Sequence, residues 1–340
     1  MSIEDELQST IDDLVQDGKG ILAADESQPT IAKRFAQYGI ESTPESRRAY
    51  RSLLFSTPGM EDFISGVILY EETLLQRDDR GRLIPEMLSA MHVVPGIKVD
   101  RGTVPLANSL GDKVTEGLDG LAGRLQAYKA QGARFAKWRE VYAIGERNPS
   151  LLAVRVNAET LARYAAICQE AGLVPIVEPE VLIDGDHDMK RCFEATESVL
   201  HAVFHALCRH GVVLEHMVLK PSMVLPGKNH PQKAAPGQVA EATIRVLRRA
   251  VPAAVPSINF LSGGQGPEEA TANLNAMNAM LPDPPWALSF SYGRALQQPA
   301  LAAWAGRSEN KEKMQKMFLE RARLNGLARR GEYAREMENG

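Results

Sequence analysis

The chain has 340 residues, of which 24% are charged and 44% are hydrophobic, as in an ordinary globular protein. Its formal net charge is −4, and it has no basic block. This excludes a general nucleic-acid partner but leaves local phosphate sites open. No apolar run is long enough to cross a bilayer, and the acidic start MSIEDELQST lacks the pattern of a signal peptide. Together with an odd number of cysteines in no C-x-x-C spacing, these features predict a cytoplasmic protein with reduced thiols.

Short apolar runs alternate with helical patterns along the chain. The predicted strands are GILAAD, FISGVILYEE, VVPGIKVD, GARFAKWRE, LVPIVEPE, MVLKPSM, SINFLSGG and WALSFSYGR. The predicted helices cover residues 1–17, 31–38, 44–55, 118–130, 157–171 (with Asn157 as the N-cap), 190–210, 238–250, 268–280 and about 295–336. Eight strand–helix units predict an α/β fold, a (β/α)₈ or TIM barrel. We expect residues 1–340 to form a single domain, with an N-terminal helical segment and a C-terminal helix and short tail from about residue 306.

Polar side chains recur where these predicted strands end. In a (β/α)₈ barrel the chemistry takes place at the carboxyl ends of the strands. The side chains at these ends are Asp25, Lys98, Lys137, Glu178, Lys220, Ser262 and Ser291. Since barrel interiors are normally filled by Val, Ile and Leu, this set predicts a charged functional pocket.

Lys220 is the strongest candidate for a nucleophile. It lies where the apolar run Met217–Leu219 gives way to Pro221, and apolar surroundings and neighbouring ammonium groups lower the pKa of a lysine. Lys98 and Lys137 would remain charged and bind an anionic substrate. The alternatives are that Lys220 reaches into water beyond the strand and that the other two lysines only form salt bridges.

Three carboxylates would lie beside these lysines. Glu178 and Glu180 fall on the same side of their strand by alternation, and a carboxylate among lysines is suited to proton transfer. The alternative is that both glutamates only neutralise the lysines. Asp25 ends the first strand and could equally be the N-cap of the next helix.

The last two strands end in the glycine- and serine-rich loops SGGQG and SYGR. The corresponding loops of a barrel often bind phosphate. Gly263 and Gly264 would expose backbone N–H groups, and Arg294 would supply a bidentate cation. The alternative is a pair of tight turns.

Two patterns resemble metal ligands. The segment Asp184–Asp188 lacks the full calcium-loop pattern. His201 and His205 have ligand spacing on a helix but lack the glutamate of H-E-x-x-H. We predict a solvated turn and an ordinary helix, and no metal site.

The ordered motifs resemble those of the class I, Schiff-base fructose-bisphosphate aldolases along nearly the whole chain. The matching segments are GKGILAADES (18–27), GVILYEETL (66–74), GIKVD (96–100), GLDGL (117–121), FAKWR (135–139), VPIVEPE (174–180), LKPSMV (219–224), FLSGGQ (260–265) and FSYGRAL (290–296). The resemblance implies a (β/α)₈ barrel that reversibly cleaves fructose 1,6-bisphosphate to dihydroxyacetone phosphate and glyceraldehyde 3-phosphate. It implies no metal or other cofactor, and a homotetramer.

The resemblance also implies roles for individual residues. Lys220 matches the Schiff-base lysine and Glu178 the general acid and base. Asp25 matches the aspartate that orients the C4 hydroxyl, and Lys137 the lysine that stabilises developing charge. Together with the loops described above, the candidates for substrate and phosphate binding are Ser27, Thr30, Lys98, Arg139, Glu180, Ser262, Gly263, Gly264, Ser291, Gly293 and Arg294.

The chain departs from the family pattern at three places. Gln28-Pro29-Thr30 replaces a Thr-Gly-Ser run, and Ser222 replaces an asparagine. The chain ends in EYAREMENG, without the terminal tyrosine that aids proton exchange in long-tailed members. Tyr333 matches an earlier tyrosine, so we expect slower enamine protonation or another acid.

Other functions remain open at this stage. These are an imine-forming aldolase for another sugar phosphate, a metal-dependent aldolase, and a scaffold protein.

Overall fold

The computed structural model describes residues 2–281 and 283–339 of the chain. The strands are β1 (Gly20–Ala24), β2 (Ile64–Leu69), β3 (Val94–Lys98), β4 (Thr103–Pro105), β5 (Lys113–Thr115), β6 (Phe135–Tyr142), β7 (Val174–Val181), β8 (Val218–Leu219), β9 (Ser257–Phe260) and β10 (Ala287–Tyr292). Eight of them form a closed parallel barrel in the order β1-β10-β9-β8-β7-β6-β3-β2, while β4 and β5 pair as a separate antiparallel hairpin.

Helices surround the barrel and connect its strands. They are α1 (Ile3–Leu14), α2 (Gln28–Ala36), α3 (Pro44–Phe55), α4 (Glu71–Leu74), α5 (Ile84–Ala90), α6 (Leu121–Ala130), α7 (Leu151–Glu170), α8 (Met189–Arg209), α9 (Pro236–Ala250), α10 (Pro267–Met280), α11 (Arg294–Trp304) and α12 (Lys311–Arg329). The alternation of strands and helices confirms the predicted (β/α)₈ barrel.

Strict alternation of side chains divides the barrel interior into an apolar half and a charged half. Along β7, the inward-facing residues change from Val174 and Ile176 to Glu178 and Glu180. Successive strand residues point to opposite faces, so one strand contributes to both halves. The other strands follow the same order: Ile21 and Ala23 precede Asp25, Val94 precedes Lys98, Phe135 precedes Lys137, and Val218 precedes Lys220.

Helix α1 closes the apolar end of the barrel. Its residues Leu7, Ile11 and Leu14 are buried in the same cluster as the inward residues of the strands. The ring of Phe135 fills the space beside Gly96, where an added Cβ would come within 2.2 Å of the ring. The charged half of the interior therefore opens only at the other end, at the carboxyl ends of the strands.

The predicted N-cap of the seventh helix is wrong. Helix α7 begins at Leu151, and the side chain of Ser150 caps it by accepting a hydrogen bond from the N–H of Ala153. Asn157 instead lies buried inside this helix and donates to the carbonyl of Lys113. The helix therefore begins two turns earlier than predicted, because an asparagine with a tertiary partner resembles a cap in the sequence.

The predicted strand ends also differ in places. Strand β2 ends at Leu69, and Glu71 and Glu72 begin α4 instead of ending the strand. Strand β8 has only two residues, although the N–H of Lys220 still donates to the carbonyl of Val177. The β4–β5 hairpin was not predicted; buried Glu140 accepts the N–H of Thr115 at 3.1 Å and holds it to the barrel.

We expect Gly96→Ala to lower the free energy of unfolding by about 1–3 kcal/mol, because the new methyl group would overlap the Phe135 ring and force it to move. The change is measured by thermal or urea denaturation. Gly123→Ala on α6 is the matched control, since nothing lies within 4 Å of its added Cβ. A Gly96→Ala protein as stable as the control would contradict this account of the packing.

Candidate active site

The sequence-predicted residues converge on one cavity of about 650 Å³ at the carboxyl ends of the strands. Those that line it are Asp25, Ser27, Thr30, Lys98, Lys137, Arg139, Glu178, Glu180, Lys220, Ser262, Gly263, Ser291, Gly293 and Arg294. Gly264 is the exception, because it lines a smaller adjoining cavity of about 170 Å³. Residues that are far apart in the sequence therefore meet as predicted from the barrel topology.

Four charged groups form the centre of this cavity; Lys137, Glu178 and Lys220 are buried, and Asp25 is partly buried. The Lys137 ammonium lies 2.7 Å from a carboxylate oxygen of Asp25 and 3.3 Å from one of Glu178. The Lys220 ammonium lies 3.4 Å from the other carboxylate oxygen of Glu178. Glu178 thus bridges the two lysines, and each charge has an opposite charge within reach.

The burial of these groups is compensated by their mutual attraction. Burial alone would raise the pKa of Asp25, but the ammonium groups of Lys137, Lys220 and Lys98 hold that pKa below its ordinary value. Burial alone would lower the pKa of Lys137, but the carboxylates of Asp25, Glu178 and Asp100 raise it. Asp25 is therefore ionised and able to accept a proton near neutral pH.

Two further cations at the cavity wall are already neutralised by carboxylates. Lys98 lies 2.7 Å from Asp100, and Arg139 lies 3.1 Å from Glu180. Burial is the main cause of a raised pKa at Glu180, while Arg139 acts in the opposite direction. The salt bridges foreseen as alternatives for Lys98 and Lys137 are therefore present, within a cavity that these residues also line. Among the described residues, Glu180 instead pairs with Arg139 and not with a lysine.

Arg294 differs from these cations in its partners. In residues 2–281 and 283–339 its guanidinium donates to the backbone carbonyls of Gly263 and Gln265, at 3.1 and 3.2 Å, and pairs with no carboxylate. The hydroxyl of Ser291 is buried nearby and has no partner in the same ranges. A cation free of a carboxylate and a free hydroxyl are suited to bind an anionic oxygen.

The loops at this end have the conformations that their glycines permit. Gly263 has a φ of +52°, which favours glycine. At Gly264, an added Cβ would meet the side chains of Lys228 and Ile183 at 2.4 and 2.5 Å. Gly264 lines the adjoining cavity together with these two side chains, which the sequence pattern alone did not reveal.

Asp25 does not cap the helix that follows it. The N-cap of α2 is Ser27, whose hydroxyl lies 3.0 Å from that of Thr30. Asp25 points into the cavity and pairs with Lys137. The capping alternative for Asp25 is therefore wrong. The hydroxyl groups of Ser27 and Thr30 lie together on the wall of the cavity.

Several residues lining the cavity were not among the predicted site residues. They include Arg34, Tyr70, Asp100, Arg101 and Arg124. Asp100 could have been found, because it lies two residues after Lys98 on the same side of an extended segment. Arg34 lies on α2 rather than at a strand end, and its position depends on an ion pair with Glu26.

Tyr333 lies away from the residues that line this cavity. Its hydroxyl donates to Glu338 at 2.9 Å, and its N–H donates to the side chain of Asn275 on α10. The described part of the tail is thus packed against the outer helices. Tyr333 is not hydrogen-bonded to Lys98, Lys137 or Lys220, the lysines that line the cavity.

The patterns that resembled metal ligands form no such site in the described part of the chain, where no group of three or more His, Cys, Asp or Glu side chains could hold a metal ion. None of the helices within residues 2–281 and 283–339 is long and apolar enough to cross a membrane.

The sequence and the fold both resemble those of known aldolases. The family profile "Fructose-bisphosphate aldolase class-I" matches residues 6–340. The cytosolic fructose-bisphosphate aldolase 4 of Arabidopsis thaliana is 54% identical over 323 residues, covering 95% of this chain and 82% of the relative. The human fructose-bisphosphate aldolase C is 54% identical over 328 residues, covering 96% and 90%.

A solved structure agrees with these matches. A fructose-bisphosphate aldolase from Plasmodium falciparum, crystallised with TRAP and a small-molecule inhibitor, superposes with a TM-score of 0.96 at 50% identity. The match covers 98% of this chain and 96% of the other. The closed barrel and these matches thus define a lyase of the aldolase class. The chain belongs to the class I fructose-bisphosphate aldolase family.

We expect Lys137→Met to move the acid limb of the pH–rate profile for cleavage to higher pH. Loss of this ammonium removes the closest cation from Asp25, so burial raises the pKa of that carboxyl and less of it is ionised at a given pH. The profile is measured with steady-state kinetics. Lys98→Met is the control, and its shift should be smaller because Lys98 is the weakest of the three cations acting on Asp25. Equal shifts in both variants would contradict the assignment of Lys137 as the main cation that lowers the pKa of Asp25.

Proposed function

We propose that Lys220 is the Schiff-base nucleophile with which this aldolase cleaves fructose 1,6-bisphosphate reversibly to dihydroxyacetone phosphate and glyceraldehyde 3-phosphate. The observation that carries the proposal is the position of the Lys220 ammonium, buried at a strand end and 3.4 Å from the Glu178 carboxylate. A buried lysine beside a proton acceptor is the arrangement that imine formation requires. The family membership of the chain supports the same chemistry.

Glu178 is proposed as the acid and base of imine formation. It accepts a proton from the Lys220 ammonium, and the free amine adds to the C2 carbonyl of the open-chain sugar. Glu178 then donates that proton to the carbinolamine hydroxyl, which leaves as water. The protonated imine that results can accept an electron pair.

Asp25 is proposed as the base for carbon–carbon cleavage. Its carboxylate takes the proton from the C4 hydroxyl, the C3–C4 bond breaks, and the electron pair of that bond moves towards the iminium nitrogen. The aldehyde leaves and an enamine remains on Lys220. Lys137, which lies between Asp25 and Glu178, helps to hold the pKa of Asp25 below its ordinary value and stabilises the developing charge.

The remaining candidates are proposed to bind the two phosphates. Arg294, the Ser291 hydroxyl and the backbone of Gly263 would bind one of them, since the arginine has no carboxylate partner in the described ranges. Ser262 and Gly293 line the same part of the wall. Lys98, Arg139 and the hydroxyls of Ser27 and Thr30 are proposed for the other phosphate.

The decisive experiment is borohydride reduction in the presence of dihydroxyacetone phosphate, followed by peptide mass mapping. We expect the reduced adduct on Lys220. In Lys220→Met the adduct should be absent, and cleavage should fall on the order of 10³-fold or more because the covalent route is lost.

Lys190→Met is the matched control, because this lysine is exposed on α8 and is not among the residues that line the cavity. It should retain both the adduct and the activity. An adduct on Lys98 or Lys137 instead would keep the imine mechanism but overturn the assignment of Lys220. No adduct on any lysine would contradict the proposal as a whole.

We also propose that the protein is a cytoplasmic homotetramer in which residues 1–340 form one domain. Curated Arabidopsis relatives are named as cytosolic, and tetramers are common in the family. Leu110, Leu151 and Leu152 are exposed and lie close together, because the Ser109 hydroxyl is 3.1 Å from that of Ser150. Such an apolar patch supports contact between copies. Light scattering should give the mass of four chains, and a monomer would contradict this.

A further inference from the structure

Gln297 is a buried amide whose polar groups are fully bonded. It lies on α11 and is 1% exposed. Its Nε2 donates to the carbonyl of Ala23 at 2.6 Å and to the Glu26 carboxylate at 2.8 Å. Its Oε1 accepts a hydrogen bond from the hydroxyl of Tyr50 at 3.0 Å. A buried amide loses free energy if these hydrogen bonds are removed, so the three contacts fix the position of the side chain.

The two acceptors of the Gln297 amide lie on either side of Asp25 in the chain. Ala23 belongs to the end of β1, and Glu26 directly follows Asp25. Glu26 is also held by the Arg34 guanidinium, and its carbonyl accepts from Arg51 at 3.1 Å. The backbone that carries Asp25 is thus fixed before and after this residue.

The same helix turn carries the proposed phosphate anchor. Gln297 follows Arg294 by three residues on α11, and its N–H donates to the carbonyl of Gly293 at 3.0 Å. Residues three apart lie on the same face of a helix. Gln297 therefore joins the strand end that carries Asp25 to the helix end that carries Arg294.

Tyr50 completes the hydrogen bonding of the Gln297 amide. Tyr50 is buried on α3, and burial raises the pKa of its phenol far above the ordinary range. The phenol therefore keeps its proton and donates it to Oε1, while Nε2 faces the Ala23 carbonyl and the Glu26 carboxylate, which only accept hydrogen bonds. The reverse orientation would place Oε1 against a carbonyl and a carboxylate, which repel it.

We propose that Gln297 is a positioning residue for carbon–carbon cleavage, because its contacts with Ala23 and Glu26 set the distance between Asp25 and the sugar phosphate bound at Arg294. It does not line the main cavity and does not contact Lys220 or Glu178. It acts on the cleavage step and not on imine formation. The inference rests on the role proposed above for Asp25.

The test compares two steps of the same enzyme in Gln297→Met, which preserves the size of the side chain but removes its hydrogen bonds. We expect kcat for cleavage of fructose 1,6-bisphosphate to fall about tenfold to 100-fold, since small displacements of a reacting group have effects of this size. The yield of the borohydride adduct of dihydroxyacetone phosphate on Lys220 should remain within about twofold of wild type, because Lys220 and Glu178 are untouched.

Gln298→Met is the matched control, because it makes the same change at the next residue, whose side chain is exposed. It should leave both measurements unchanged. Tyr50→Phe is a second, milder variant, because it removes only the hydrogen bond to Oε1 of Gln297. It should reduce cleavage less than Gln297→Met, with the adduct again preserved, and it tests the proposal if Gln297→Met does not fold.

A role in stability alone would give a different result. It would lower the melting temperature of Gln297→Met and leave kcat per folded molecule unchanged, or would reduce cleavage and adduct formation in equal proportion. Either result overturns the inference while the proposed function stands. Absence of the adduct on Lys220 in the wild-type protein would instead overturn the proposed function, and the inference with it.

Discussion

The interaction on which the site depends is the pairing of the Lys137 ammonium with the carboxylates around it. Lys137 has Asp25 at 2.7 Å, Glu178 at 3.3 Å and Asp100 at 3.9 Å. An isolated ion at this depth would cost several kcal/mol, whereas a compensated set keeps its charges. The site can therefore hold an ionised base and a charged lysine side by side, which is the condition for moving protons between fixed groups near neutral pH.

The barrel allows this cluster to exist because it separates packing from chemistry along each strand. On β7, one strand supplies Val174 and Ile176 to the packed end and Glu178 and Glu180 to the cavity. The packed end has little free space, as the contact between Phe135 and Gly96 illustrates. The closely packed apolar side chains beneath the charged groups fix the positions of those groups and add no polar groups.

Much of this arrangement could be predicted from the sequence because it depends on local periodicity and on one topological rule. Alternation placed Glu178 and Glu180 on one face, and the parallel barrel brought Asp25, Lys137 and Lys220 together. Features that depend on contacts between distant segments could not be read in this way. Gly264 lines an adjoining cavity together with Lys228 and Ile183, and Asn157 has its partner across the fold at Lys113.

The closure of the apolar end of the barrel by α1 has a consequence for the order in which the two products leave. Since Leu7, Ile11 and Leu14 close the apolar end, the two products share one exit at the carboxyl ends of the strands. In the proposed mechanism the ketose fragment is covalently held at Lys220 in this cavity, while the aldehyde fragment is free once the bond is broken. The aldehyde must therefore leave first, and in the synthetic direction it must enter last.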